Sequence, residues 1–131
     1  MIGPFPERTI ESFSASKIAT FWYLASPYAK YLHGKEAAFE DACMWTSTLI
    51  KAGVPCFSPI AHSHSIATIA HMDKDSHDLW MPQDLSILRG ANGVIILPMK
   101  GWRDSKGVGM EVDAALKLDI PVFLLKERIN E

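Results

Sequence analysis

The chain has 131 residues, of which 48% are hydrophobic and 21% charged, with eight glycines and eight prolines; this is the composition of one globular domain able to bury a core without metals or staples. Thirteen basic against fifteen acidic residues give a formal charge of -2, so no whole-chain basic field exists to hold nucleic acid or an anionic membrane. No apolar run reaches the ~18 residues of a membrane span, the N-terminus lacks a basic region followed by an apolar one, and Cys43 and Cys56 (DACMW and VPCFS) fit neither a zinc knuckle nor a disulfide framework, so a cytoplasmic protein with reduced thiols is expected.

Residues 1–19 contain Pro4, Pro6 and several serines and threonines, and they read as an irregular lead-in or a short helix ahead of a single domain over 20–131. Residues 20–25 (TFWYLA) predict a buried strand that stops at Ser26-Pro27. Over 35–52, Ala38, Ala42, Trp45, Leu49 and Ala52 recur at intervals of three and four before Gly53, which predicts a helix. Residues 54–57 predict a second short strand, closed by Ser58-Pro59, and the polar, histidine-rich stretch 60–78 reads as a loop with one short helix near 65–70. Leu85 and Leu88 share a face and Pro82 suits an early turn, so the spacing predicts a helix over 78–90. The β-branched run 92–98 (NGVIILP) predicts a strand covered on both faces. A polar loop over 100–106, a helix over 108–118 and a strand over 121–125 (PVFLL) complete the chain. This alternation predicts an α/β fold, a three-layer doubly wound parallel sheet of four to five strands of flavodoxin-like or Rossmann-like type. Ligands of such sheets bind at the carboxyl ends of strands where the strand order reverses, which directs attention to the loops after Ala25, Phe57 and Pro98.

Glu111 shares a helical face with Ala114, Ala115 and Leu118, which puts a carboxylate on an apolar stripe and aims it at the crevice. The plainer alternative is an acid that complements a helix N-terminus. In the run SKGVGME, Gly107 and Gly109 open the backbone to close approach at a helix N-terminus, an anion site, although Ser105 or Asp104 also suits a simple N-cap. The run is not a dinucleotide fingerprint, which follows the first strand across a tight turn. Asp84 projects from the face of Ile87, Leu88 and Ala91, either into the core side or as a first-turn acid after Pro82. Tyr23 is either a core aromatic or a phenol at the carboxyl edge of the sheet, oriented to a carboxylate. His62, His64, His71, Asp73, Asp75, His77 and Asp78 match no closed zinc signature, and no Gly-x-Ser-x-Gly elbow supports a hydrolytic triad, so neither metal nor other cofactor is expected. Trp80, Trp102 and the aromatics of SPYAKY suit stacking on a base as well as ordinary packing.

With these residues on the page, the chain resembles the nucleoside 2-deoxyribosyltransferase superfamily, and within it the 2′-deoxynucleoside 5′-phosphate N-hydrolases. The resemblance runs from about Tyr23 to Leu125 and is carried by YLASPYA, by Gln83-Asp84-Leu85 through Leu88, Ala91 and VIIL, and by SKGVGMEVDAA. It implies that Glu111 is the nucleophile, that Asp84 protonates the base and that Tyr23 orients the glutamate. Six residues before the glutamate the transferases carry an acid and the phosphate-binding hydrolases a serine; Ser105 stands here, which implies a nucleoside monophosphate substrate with Ser26 as a second phosphate contact. The first loop departs from the hydrolases, which are glycine- and arginine-rich there, and Lys30, Lys35, Arg103 and Lys106 are the cations available instead. The implied function is hydrolysis of an N-glycosidic bond, with a deoxyribosyltransferase or a catalytically silent nucleotide-binding domain as alternatives. The expected partners are a small-molecule nucleotide or nucleoside and a second copy of the chain, with no nucleic acid and no membrane.

Overall fold

The computed structural model describes residues 3–126. Its centre is a five-stranded parallel sheet in the order β1-β5-β4-β2-β3, with β1 at Glu7–Arg8, β2 at Trp22–Ala25, β3 at Cys56–Phe57, β4 at Gly93–Ile96 and β5 at Val122–Leu125. Successive residues of a strand point to opposite faces. Trp22, Leu24 and Ile95 therefore enter one core with Phe13, Ala42 and Leu49, while Tyr23, Ala25, Val94 and Ile96 enter another with Leu88, Val108, Val112 and Ala115. The first core lies under α1 (Ile10–Ala15) and α2 (Lys35–Lys51), the second under α4 (His77–Leu88) and α5 (Lys106–Lys117). Three layers result, as the run VIIL implies for a strand covered on both sides. No helix among the described residues is long and apolar enough to cross a membrane. Cys43 and Cys56 are free thiols.

Two stretches differ from the sequence reading. The segment read as a lead-in contributes β1, which pairs with β5 through Glu7 opposite Leu124 and Arg8 opposite Leu125. A two-residue strand carries no periodicity to read; its anchor is Arg8, whose guanidinium lies 4.4 Å from the Phe13 ring centre and 4.8 Å from that of Phe123, and bonds Ser12 and Ser16. The histidine-rich stretch is mostly helix: α3 spans Pro59–Ala70, where a loop with a short helix was expected. Ser58 is its N-cap, accepting from the Ala61 N–H, and Pro59 occupies the first turn, so the Ser-Pro read as a strand stop is a helix start. Polar residues masked its apolar stripe, because His64 occupies a buried position that a hydrophobic residue would normally mark.

The helix α4 begins at His77 behind the Ser76 N-cap, so Pro82 lies in the second turn, not the first. Its missing N–H leaves the Asp78 carbonyl without a helical donor at an exposed place, where water substitutes at small cost. Asp84 consequently sits deep in the helix, and the first-turn reading of its charge does not apply. Strand order reverses between β2 and β4, which opens a crevice at their carboxyl ends.

The register Trp22 opposite Gly93 brings the indole across β4. A β-carbon at Gly93 would lie 2.5 Å from Trp22 Cζ3, a distance real side chains essentially never show, and 3.2 Å from the Pro121 carbonyl oxygen, which is tight. Gly93→Ala is expected to destabilise the fold by about 1–3 kcal/mol through overpacking. Urea denaturation reads this directly, and an unchanged midpoint would show that the indole is free to move aside.

Candidate active site

A cavity of about 420 Å³ lies at the carboxyl ends of β2 and β4, a size suited to a small-molecule ligand. Ser26 enters it directly from the end of β2, 5% exposed, and its hydroxyl oxygen has no hydrogen-bond partner. The helix α4 contributes Trp80, Met81 and Asp84; the connection from β4 to α5 contributes Lys100 and Ser105; α5 contributes Lys106 and Gly107 from its first turn and Glu111 from its second. Asp84 is 8% exposed and its Oδ1 is also unpartnered. Both atoms lack a protein partner, so each has hydrogen-bonding capacity left for water or a ligand.

Glu111 lies on the buried stripe of α5 with Val108, Val112 and Ala115, while Leu118, which the periodicity assigned to the same face, caps the helix and is 46% exposed. Tyr23 lies beneath it on β2, with no exposure at all, and its hydroxyl donates a hydrogen bond to Glu111 Oε2. Both readings of Tyr23 hold: its ring is a fully buried core aromatic and its phenol is oriented to a carboxylate. Burial pushes the Glu111 carboxyl up to about 8; the Tyr23 hydrogen bond opposes that shift and the Asp84 charge adds to it. Burial alone lifts Asp84 to about 6. The Tyr23 phenol, desolvated and facing two carboxylates, stays far above its ordinary value and keeps its proton. At neutral pH the two carboxyls therefore share about one proton.

The far side of the cavity suits an anion. Ser105 is the N-cap of α5, accepting from the Val108 N–H at 3.2 Å, and its own hydroxyl proton is uncommitted. The N–H groups of Lys106 and Gly107 are first-turn donors with no intrahelical acceptor, at the positive end of the helix. Lys30, Lys74, Lys100 and Lys106 line the cavity, and none has an ion-pair partner among the described residues. Lys74 and Lys100 were not singled out from the sequence, since only tertiary contact shows that three separate connections meet here. Conversely, Gly109 does not line the cavity and its N–H bonds the Ser105 carbonyl within the helix. Arg103 lies over Trp102 outside the cavity, and Lys35 pairs with Asp75 at 2.7 Å. Among the described residues no group of three His, Cys, Asp or Glu side chains is placed to hold a metal ion.

Residues 20–127 match the family described as a domain of unknown function, DUF1937. The chain belongs to the DUF1937 family. No curated protein matches it. The matched region contains every residue of the crevice named above, so the buried tyrosine–carboxylate pair and the anion-facing helix terminus are features of this DUF1937 domain and not of its N-terminal segment.

Burial of Glu111 has a thermodynamic signature. Its folded value, about 8, stands above the ordinary 4.5, so between these values the folded protein holds a proton that the unfolded chain has released. This contribution is fully present below about 4.5 and is lost as pH rises through about 8. Glu111→Gln removes the ionisation and keeps an acceptor for Tyr23, so the variant is expected to be more stable than the parent by about 1–3 kcal/mol at pH 8, with the difference shrinking toward pH 4. Thermal unfolding of both proteins across this range measures it. A variant no more stable at pH 8 would mean that the carboxylate is charged there without penalty.

Proposed function

We propose that this DUF1937 domain hydrolyses the N-glycosidic bond of a nucleoside 5′-monophosphate. The observation that carries the reading is the buried Tyr23–Glu111 hydrogen bond with Asp84 lining the same cavity, two carboxyls of which one is held by a phenol and the other has an oxygen with no hydrogen-bond partner. The similarity of YLASPYA and SKGVGMEVDAA to the nucleoside 2-deoxyribosyltransferase superfamily supports it. In this reading Glu111 attacks the anomeric carbon, the carbon–nitrogen bond breaks with its electron pair moving to the base, and the Asp84 proton follows onto the base. Water then attacks the same carbon, gives a proton to Asp84 and releases the Glu111 carboxylate and the sugar 5-phosphate. Two displacements return the starting configuration, as in retaining glycosidases. Tyr23 never meets the substrate; it acts by holding the Glu111 oxygen and by favouring its charged form.

The proton count fits this chemistry. Attack needs Glu111 ionised and departure of the base needs Asp84 protonated, one proton between them; in the empty site burial holds that proton on Glu111 between about pH 6 and about 8, so the reactive arrangement forms when it moves to Asp84. Rates of base release should therefore be bell-shaped, with limbs near those values and a maximum at about pH 7, whichever carboxyl holds the shared proton in the empty site. Chromatography of nucleoside monophosphates incubated with the protein tests the activity, and added free base distinguishes hydrolysis from transfer. Glu111→Gln should abolish release while nucleotide binding persists. Unchanged release in that variant sinks the mechanism, and binding without turnover in the parent favours the silent nucleotide-binding domain.

Ser105 decides the phosphate. Its hydroxyl caps α5 and is free to donate to a phosphate oxygen, so Ser105→Ala removes a charge-assisted hydrogen bond of about 1.5–3 kcal/mol and weakens nucleotide binding about ten- to a hundredfold. The matching nucleoside lacks the phosphate and should bind parent and variant alike. Calorimetric titration with both ligands compares them. Equal weakening would make Ser105 a cap only, whose loss costs about 0.5–2 kcal/mol of helix stability.

A further inference from the structure

The wall of the cavity formed by the connection from β2 to α2 carries a second tyrosine, for which the glycosidic step has no use. Tyr28 lies two residues beyond Ser26 and lines the cavity. Its phenol oxygen is 2.6 Å from Nδ1 of His64, and Nε2 of the same ring is 3.0 Å from Oε1 of Glu36. His64 is 5% exposed in the middle of α3 and stacks on Phe39, with ring centres 4.4 Å apart and planes at 20°. Tyr28 meets it edge-on at 5.7 Å. Three elements thus converge on one imidazole, and the ring has no freedom to turn.

The protons of this chain of groups can be counted. A carboxylate only accepts, so Nε2 of a neutral His64 carries the hydrogen that Glu36 receives. Nδ1 is then a bare acceptor, and the Tyr28 O–H must donate to it. Burial and the nearby Asp75 and Glu36 carboxylates push the Tyr28 phenol up to about 12, so it does not ionise to escape this arrangement. Beside a neutral His64 the single Tyr28 proton is committed to Nδ1, and the phenol oxygen then offers only lone pairs to anything in the cavity. The same accounting commits the Tyr23 proton to Glu111 and that of Tyr31, which also lines the cavity, to Asp41 at 2.7 Å, so no tyrosine here has a proton left for a ligand.

We propose that Tyr28 is a hydrogen-bond acceptor for the ligand, held in that role by His64 and Glu36, and that the site selects a ligand presenting an O–H or N–H donor there. His64 and Glu36 are positioning residues. If the ligand is a nucleotide, as proposed above, the donor is either a sugar hydroxyl or an amino group of the base. Both sources present the same chemistry to a phenol oxygen, and analogues separate them.

The relay is read without any ligand. In the nitrogen spectrum of protein labelled at histidine, the His64 signals, assigned by their loss in His64→Gln, should show hydrogen on Nε2 and a bare Nδ1. Hydrogen on Nδ1, or on both nitrogens, at neutral pH overturns the proposal, because Tyr28 would then be free to donate.

Ligand selection is read by calorimetry on the Glu111→Gln background, where no turnover is expected, with 2′-deoxyadenosine 5′-monophosphate and its analogues lacking the 3′-hydroxyl or the base amino group. Tyr28→Phe should weaken the parent nucleotide roughly two- to tenfold, the range of one neutral hydrogen bond, and should leave unchanged the analogue that lacks the donor. Glu36→Ala should weaken the same ligand, while Glu36→Gln, whose amide oxygen still accepts from Nε2–H, should restore it. The Glu36 side chain is 69% exposed, so neither change threatens the core. Equal weakening of all three nucleotides by Tyr28→Phe would reduce the tyrosine to a packing wall and overturn the proposal. Failure of every nucleotide to bind would instead overturn the glycosidase reading and the ligand assigned to Tyr28 with it, while the nitrogen spectrum still reports on the relay.

Discussion

The site depends on one costly placement: a carboxyl, Glu111, in a core that otherwise holds Val108, Val112, Ala115 and the face of β2 and β4. Moving an ionised carboxylate out of water is so unfavourable that an isolated one would simply remain protonated. Only the Tyr23 hydroxyl works against that outcome, and it can do so because β2 is a central strand whose alternation turns Tyr23 toward α5 while Trp22 and Leu24 turn away. The three-layer architecture is what permits this. A sheet with one wet face would expose either the tyrosine or the glutamate, and the charged form would need no special partner.

From this constraint the division of the cavity follows. Two buried carboxyls, Glu111 and Asp84, face a wall on which four lysines and a helix N-terminus outweigh the Asp75 and Asp104 carboxylates, so the rest of the cavity is net positive. A ligand that is neutral or developing positive charge at one end and anionic at the other fits that field better than one of uniform charge. A nucleoside monophosphate at the moment of glycosidic cleavage has this polarity, since positive charge grows at the anomeric carbon while the phosphate stays negative. The pairing of Lys35 with Asp75 removes one charge of each sign and leaves the division intact.

How much of this could be read from the sequence depended on whether a signal was local. Glu111 was legible because helix periodicity is a local pattern and an acid on an apolar stripe breaks it. Tyr23 was legible as one of two alternatives because strand alternation is local too. Asp84 was assigned a face correctly, with a first-turn position as the other option; the helix start near 78 was legible, and the observed start at His77 puts Asp84 well past the first turn. The helix α3 was largely missed because its buried position at residue 64 is filled by a histidine, whose reason for being there is Tyr28, a residue 36 positions earlier. The strand β1 was invisible because two residues have no period and its partner β5 lies at the other end of the chain. The lysines at 74 and 100 belong to the same class: no pattern within a segment shows that separate connections share one cavity.

The N-terminal segment stands outside the family match yet is not detached from the site. Arg8 locks it to the face of the sheet opposite Glu111, through Phe13 and Phe123. On the other face, Phe5 packs against Trp102, ring centres 6.2 Å apart, in the short 3-10 turn that leads into Ser105. The segment thus braces the connection that carries the α5 N-terminus while touching neither carboxyl. Tyr23, Asp84 and Glu111 are set by the central strands and by helices packed on them, whereas Ser105 sits at the end of a loop that the N-terminal segment braces. Phe5 and Trp102 pack against the same core that holds Tyr23, Val108 and Val112, so a change at the N-terminus reaches the α5 N-terminus and the carboxyl pair through one set of contacts.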